Sequence, residues 1–230
     1  MKKIIILSGA GVSAESGIAT FRDADGLWEG HDVMEVASPQ GFENNPSLVL
    51  DFYNQRRAQL KTVKPNEAHY CIAALERNYE VHVITQNVDD LHERAGSSNV
   101  LHLHGELLKA RSTSNPEYII EWPDDITAMD SCPDGSQMRP HIVWFGEEVP
   151  AMEKAIELTS QADAVIIVGT SLQVYPAAGL MHYAPDDTPI FLVDPRPNLE
   201  SHGNLTVIEE NASTGVRKAC DIINVSLPNT

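Results

Sequence analysis

Four short segments carry groups that could bind and transform a polar ligand: "GAGVSAESGIATFR" at 9–22, "TQNVDDLH" at 85–92, "LHGE" at 103–106 and "GTS" at 169–171. Gly9 and Gly11 permit a tight turn and a close approach of backbone N–H groups to phosphate. The pattern is incomplete as a dinucleotide fingerprint, because Val12, Ser13 and Ala14 follow and the next glycine is Gly17. A bare G-x-G after a strand is equally an ordinary turn. Gln86, Asn87 and Asp89 bring two amides and a carboxylate, suited to hydroxyl and carboxamide groups, although Asn and Asp also cap helices. His104 offers an imidazole whose ordinary pKa lies near neutrality, as proton transfer requires. The chain has nine histidines, so residue type alone does not single it out.

A second kind of chemistry is written in "DFYNQRRAQ" at 51–59, where Tyr53 and Arg56 stand three apart and share one face of a helix. A phenol beside a guanidinium fork matches a terminal carboxylate. The plain alternative is that Tyr53 packs while Arg56 is solvated, with Arg57 equally exposed. "VWFGE" at 143–147 reads as a strand whose alternate side chains face opposite ways. Trp144 can then belong to the core while Val143 and Phe145 face a ligand.

These groups need a scaffold, and the rest of the chain supplies one. Apolar runs at Ile4–Leu7, Val81–Thr85, Val165–Val168 and Ile190–Val193 suit strands buried on both faces. Helical patterns at Pro46–Leu60, Glu67–Asn78, Met152–Gln161 and Ser213–Ile223 lie between or beyond them. That alternation predicts an α/β fold with a doubly wound parallel sheet, Rossmann-like, with ligands at the carboxyl ends of the strands. Each strand runs directly into a polar or glycine-containing stretch: "SGAG", "TQNVDD", "VGTS" and "VDPRP". Residues 31–66 and 107–140 do not follow the alternation and are expected to form a small lobe inserted into one domain spanning 1–230.

Bulk properties exclude several classes of function. The 230 residues, 42% hydrophobic, can bury a substantial core. With 33 acidic against 16 basic residues the formal charge is -17, which disfavours nucleic acid and anionic membrane as partners and favours basic, lysine-bearing protein segments. The N-terminal apolar stretch is too short for a signal peptide or a membrane span, and three widely separated cysteines, Cys71, Cys132 and Cys220, suit a reducing compartment. A cytoplasmic location is the expectation.

The motifs, taken together and in this order, resemble the sirtuins, NAD-dependent protein lysine deacylases, over nearly the whole chain. In that family the first loop reads G-A-G-x-S and then G-I-x-x-F-R, which Gly9, Ala10, Gly11 and Ser13 match, followed by Gly17, Phe21 and Arg22. The resemblance implies that these residues bind NAD together with Gln86, Asn87, Asp89, Gly169, Thr170, Ser171, Asp194 and Ala212. It implies that His104 is the general base, taking a proton through the ribose hydroxyls, with Asn87 assisting. Val143, Phe145 and Gly146 would receive the substrate backbone by strand addition, leaving the acyl-lysine to enter a tunnel. Tyr53 and Arg56, with Thr20 and Ala24, resemble the subgroup that removes succinyl and malonyl groups. One charge-assisted hydrogen bond of about 1.5–3 kcal/mol gives a bias of roughly 10- to 150-fold, not exclusivity.

One departure is marked. Most sirtuins bind a structural zinc with two cysteine pairs between the "HG" and "VWFGE" motifs, where this chain has only Cys132, and Ser112 stands about where the first ligand is expected. A tetrathiolate site cannot be built from one thiolate. No zinc is expected, and packing of Tyr118, Ile119, Ile120 and Trp122 is expected to stabilise the lobe instead. Ala19, where many relatives have Pro, and Asp194, where many have Asn, are lesser departures. The reading is an NAD-dependent deacylase acting on acylated lysine side chains of proteins, releasing nicotinamide and O-acyl-ADP-ribose. Its rivals are a mono-ADP-ribosyltransferase and a non-catalytic NAD or ADP-ribose binding module.

Overall fold

Ile4, Ile5 and Ile6 are all fully buried, which requires that both faces of their strand be covered. A computed structural model describes residues 1–19, 27–170, 172 and 174–227. The chain runs β1 (Lys3–Ser8), β2 (Leu27–Trp28), β3 (His31–Asp32), α1 (Val33–Val36), α2 (Pro39–Asn44), α3 (Pro46–Thr62) and α4 (Glu67–Leu75). It continues through β4 (Glu80–Thr85), α5 (Leu91–Ala95), β5 (Val100–His102), β6 (Gly105–Ser112), β7 (Ile119–Glu121) and β8 (Met138–Ile142). Last come α6 (Met152–Thr159), β9 (Ala164–Val168), β10 (Ile190–Val193), β11 (Leu205–Ile208) and α7 (Ala212–Ser226).

Six strands form one sheet in the order β11-β10-β9-β1-β4-β5, with every pairing parallel. Ile4 and Ile6 pack with residues of α4 and α7 on one face. Ile5 and Leu7 pack with α6 and the 3₁₀ turn Ala177–Tyr183 on the other. This two-sided burial is why the strands are unbroken aliphatic runs. The four expected strands are present, while β5 and β11 extend the sheet at its two edges. From β1 the chain first builds outward through β4 and β5, then returns to β9 on the other side. The order therefore reverses between β1 and β9, the crevice where doubly wound sheets bind ligands.

A second core joins α1, α2 and α3 to a three-stranded antiparallel sheet ordered β7-β6-β8. Ser38 and Asn45 cap α2 and α3, each ahead of a proline in the first turn that fixes a helical φ. Tyr118, Ile120 and Trp122 pack against this core, but Ile119 is exposed, which corrects its expected role. Ile119 lies on the outward face of β7, and the interior is filled by Leu107, Ala110, Ile126, Met138 and Ile142. Arg57 is also a correction: it is fully buried, not solvated.

Candidate active site

Most of the expected site residues converge on a cleft of about 470 Å³ at the carboxyl ends of β1, β4, β9 and β10, roofed by α3 and the turn after β8. Gly9, Ala10 and Gly11 line it from the first loop, Gln86, Asn87 and Asp89 from the second, and Gly169 and Thr170 from the third. Asp194, Ala212 and His104 reach the same cleft, as do Tyr53, Arg56, Val143, Phe145 and Gly146. Phe21, Arg22 and Ser171, with Thr20 and Ala24, lie outside the described residues.

The glycines have a more specific reason than phosphate access. Gly11 N–H donates to the Gly169 carbonyl at 2.8 Å, and Gly9 N–H donates to Val168 at 3.0 Å. A Cβ on Gly11 would stand 2.6 Å from Gly169 Cα, and one on Gly169, whose φ is +66°, would overlap Val12 N. The loops after β1 and β9 thus pack backbone to backbone, as only glycine permits. Both N–H groups are engaged in this contact, so the two glycines hold the cleft-lining loop in place by close packing.

Ser13 sits behind these loops. It is fully buried and does not line the cleft; its hydroxyl donates to Asp89 Oδ2 at 3.0 Å and accepts from Asn87 Nδ2 at 3.1 Å. It orients those two side chains. Burial raises the pKa of Asp89, opposed by the Leu91 N–H and the Ser13 hydroxyl. Asn66 caps α4 and also donates to the Val12 carbonyl at 2.8 Å, fixing the first loop to that helix. Glu15 accepts from Ser213 N and Oγ at 3.1 Å, tying the loop to the start of α7. Neither Asn66 nor Glu15 carried a distinguishing signal in the sequence.

Two histidines, His102 at the end of β5 and His104 in the bend before β6, are prepared for opposite tasks. His104 Nδ1 lies 3.0 Å from the Gln86 carbonyl oxygen, so Nδ1 is the donor and Nε2 is left as the basic nitrogen. Burial holds its pKa below the ordinary value, against the bond to Gln86. His104 is therefore neutral near pH 7 and able to accept a proton. His102 is buried too, but its bonds to Glu93 at 2.7 Å and to the Asn87 carbonyl at 2.9 Å outweigh burial and raise its pKa. Its role is to hold the Asn87 backbone. Gly105, with φ +82°, is required because a Cβ there would overlap the His141 carbonyl on β8.

On the opposite wall, Tyr53 is fully buried and its Oη accepts a hydrogen bond from Trp144 Nε1 at 3.0 Å. Burial pushes the phenol pKa upward, opposed by the Trp144 bond, so the hydroxyl keeps its proton for a further acceptor. Arg56 lies 4.6 Å above the Phe52 ring, and burial lowers its pKa against the pull of Glu29. Arg57 instead turns into the core, where Nη1 donates to Asn54 Oδ1 at 3.0 Å and burial brings its pKa down to about 10.

Residues 143–147 are not an edge strand. β8 ends at Ile142, and the chain turns through Gly146 at φ +91°. The Val143 and Phe145 N–H groups already donate to the His104 and Ala37 carbonyls at 2.9 Å, so strand addition through these donors is corrected. Trp144 is buried, as expected of the core alternative, and Phe145 stands exposed at the cleft. The turn is clamped through Glu147, which accepts from Arg111 at 2.8 Å, Arg139 at 2.7 Å and Trp144 N at 2.8 Å. Sequence inspection missed this clamp, because neither arginine stands in a recognisable motif.

Around Ser112, about where the resemblance leads one to expect a first zinc ligand, hydroxyls and a carboxylate form a knot. Ser112 Oγ is 2.7 Å from Asp134 Oδ2 and 2.6 Å from Ser136 Oγ, and it accepts from the N–H groups of Ser114 and Asn115. Cys132 N–H donates to the Ser136 carbonyl at 2.9 Å beside it. Among the described residues, no group of three or more His, Cys, Asp or Glu side chains is arranged to hold a metal ion, and no helix is long and apolar enough to cross a membrane.

Comparison with known proteins agrees with this geometry. The Sir2 family pattern matches residues 9–176. A Helicobacter pylori protein named NAD-dependent protein deacylase is 60% identical over 213 residues, covering 92% of this chain and 93% of the relative. One of the same name from Bacteroides thetaiotaomicron is 52% identical over 225 residues, covering 95% and 96%. A crystal structure described as a Sir2 homolog–NAD complex superimposes with a TM-score of 0.87 at 38% identity, covering 98% of this chain and 91% of that one. The chain belongs to the Sir2 family.

Proposed function

We propose that the protein is an NAD-dependent protein deacylase, cytoplasmic, acting on acylated lysine side chains and releasing nicotinamide and O-acyl-ADP-ribose. The observation that carries this is one cleft holding a neutral His104, the Gln86/Asn87/Asp89 cluster and the paired glycine loops on its strand-end wall. The arrangement fits NAD. A buried Asp194 carboxylate at the end of β10 suits a ribose diol, and the α7 N-terminus with Ala212 closes over that side. Ala10 and Thr170 stand where a pyrophosphate would cross between the loops.

NAD supplies a ribose carbon from which nicotinamide departs as the acyl oxygen attaches. The chain's own part is to position and to move protons. Asn87 and Asp89, fixed through Ser13, present an amide and a carboxylate to the ribose and carboxamide groups. His104 Nε2 accepts the proton released when a ribose hydroxyl becomes a nucleophile, and Gln86 holds the ring by its other nitrogen. The Glu147 clamp keeps Phe145 and Gly146 at the mouth, where the substrate backbone meets the cleft. The lobe containing 31–66 and 107–140 closes the cleft as part of one catalytic unit.

The acyl end meets Tyr53 and Arg56. A protonated phenol and guanidinium donors without a partner among the described residues favour a terminal carboxylate, so succinyl- and malonyl-lysine are substrates alongside acetyl-lysine. Mass spectrometry of a reaction with NAD and matched acetyl- and succinyl-lysine peptides tests the reading. Free lysine peptide with O-acyl-ADP-ribose is the expected product; ADP-ribose fixed on protein would instead indicate a transferase, and binding without turnover a recognition module.

A further inference from the structure

The Arg56 side chain is only 15% exposed, and its Nε and Nη1 are buried without a hydrogen-bond partner among the described residues. Unpaired donors on a buried cation are unfavourable and attract any anion that can reach them. The charge facing this group is Glu29, whose carboxylate lies 4.0 Å from Nη2. That separation attracts but is too long for a hydrogen bond.

The backbone sets Glu29 at this place. β2 and β3 form a hairpin that turns through Glu29 and Gly30, with φ of 51° and 84°. Positive φ at both positions defines the type I′ turn, which normally uses Asn, Asp or Gly at the first of them. The hairpin is pinned to α3 by Trp28, whose ring meets Phe52 at 4.9 Å and Tyr53 at 6.2 Å. Glu29 and Arg56 consequently line the same cleft.

We propose that Glu29 is a specificity-determining residue, the resident counter-charge of Arg56 that an acyl carboxylate must displace, so that it tempers the preference for acidic over neutral acyl groups. This inference rests on the acidic-acyl reading above. A carboxylate entering to reach Nε and Nη1 takes the attraction of the guanidinium away from Glu29 and is repelled by it. An acetyl group does neither. The pair is partly solvated, with Glu29 32% exposed, so its effect corresponds to about two- to fivefold in binding.

The test is the ratio of KM for acetyl-lysine to KM for succinyl-lysine peptides in the wild type and in Glu29→Gln, which keeps the side-chain size. The ratio is expected to rise about two- to fivefold. Glu29→Gly removes the same charge while relieving the positive φ and should give a similar rise if the first variant folds poorly. In Arg56→Met the further change Glu29→Gln should have no effect on the ratio, since the partner is gone. A ratio that is unchanged or lowered by Glu29→Gln, with Arg56→Met still reducing it, overturns the role of Glu29 alone. A ratio indifferent to Arg56→Met sinks the acidic-acyl reading and this inference together.

Discussion

The two walls of the cleft are held by different forces. The strand-end wall rests on a parallel sheet buried on both faces and on loops joined backbone to backbone at Gly11 and Gly169. The opposite wall has an apolar core of its own and adds side-chain charges and hydroxyls to it: Glu147 between Arg111 and Arg139, Tyr53 bonded to Trp144, and, within the same lobe, Ser112 in its knot. The first arrangement fixes atoms by apolar burial and main-chain bonds that vary little with pH or salt. The second can be retuned one side chain at a time. On the proposed reading, the first wall positions the chemistry common to all acyl substrates and the second meets the acyl group.

The sharpest way to break this comparison is His104→Ala. Loss of the proposed base should lower kcat by roughly 10²- to 10⁴-fold, with the thermal midpoint little changed, whichever acyl group is offered. A loss confined to succinyl substrates would place His104 on the wrong wall. The wild-type activity should also persist further toward acid than a free imidazole would allow, because burial holds the His104 pKa low. A pH–rate profile whose acidic limb lies above the ordinary histidine range would contradict that.

Arg56→Met should act in the opposite pattern. The succinyl rate relative to acetyl should fall by roughly 10- to 150-fold, from the loss of a charge-assisted bond worth about 1.5–3 kcal/mol. Competition between the two peptides in one reaction measures this directly.

Ser112→Ala sharpens the comparison through stability. The hydroxyl is buried and accepts from two backbone N–H groups, so its loss should cost about 1–3 kcal/mol. A thermal midpoint lowered by about 2–10 °C is expected, with kcat for acetyl-lysine much less affected. An unchanged midpoint would mean that the knot does not support the lobe.

A further effect is one of pH. His69 on α4 and His141 on β8 both have pKa values lowered to about 4 by burial. The unfolded chain binds their protons near pH 6.5 and the folded chain resists until about pH 4, so stability rises with pH across that window. Each contributes at most about 1.4 kcal/mol per pH unit, the limit set by one proton. Urea midpoints between pH 4 and 7 should climb, and His141→Gln should flatten part of the climb. A fall with rising pH would reverse the sign argued here.

The strand-end wall was legible in the sequence because its signals are local. Ile4–Leu7 and Ile190–Val193 are uninterrupted aliphatic runs, and each ends in a polar turn that carries site residues. β5 and β11 escaped because each is short and only partly buried. The antiparallel sheet escaped for another reason. β6 holds Lys109 and Arg111, and a buried arginine looks like a solvated one until its partner Glu147, 36 residues away, is seen. Arg57 misled in the same way. Tyr53 and Arg56 were visible because helical spacing places them together, whereas Glu29 meets Arg56 only through the fold of a hairpin.

The central claim is that one cleft couples departure of nicotinamide to removal of an acyl group from lysine. The most direct measurement is the stoichiometry of nicotinamide released to lysine peptide deacylated, with purified protein, NAD and an acetyl- or succinyl-lysine peptide. The account predicts one nicotinamide per deacylated lysine and negligible release without peptide. Deacylation that proceeds without NAD, or nicotinamide release indifferent to the peptide, would contradict it.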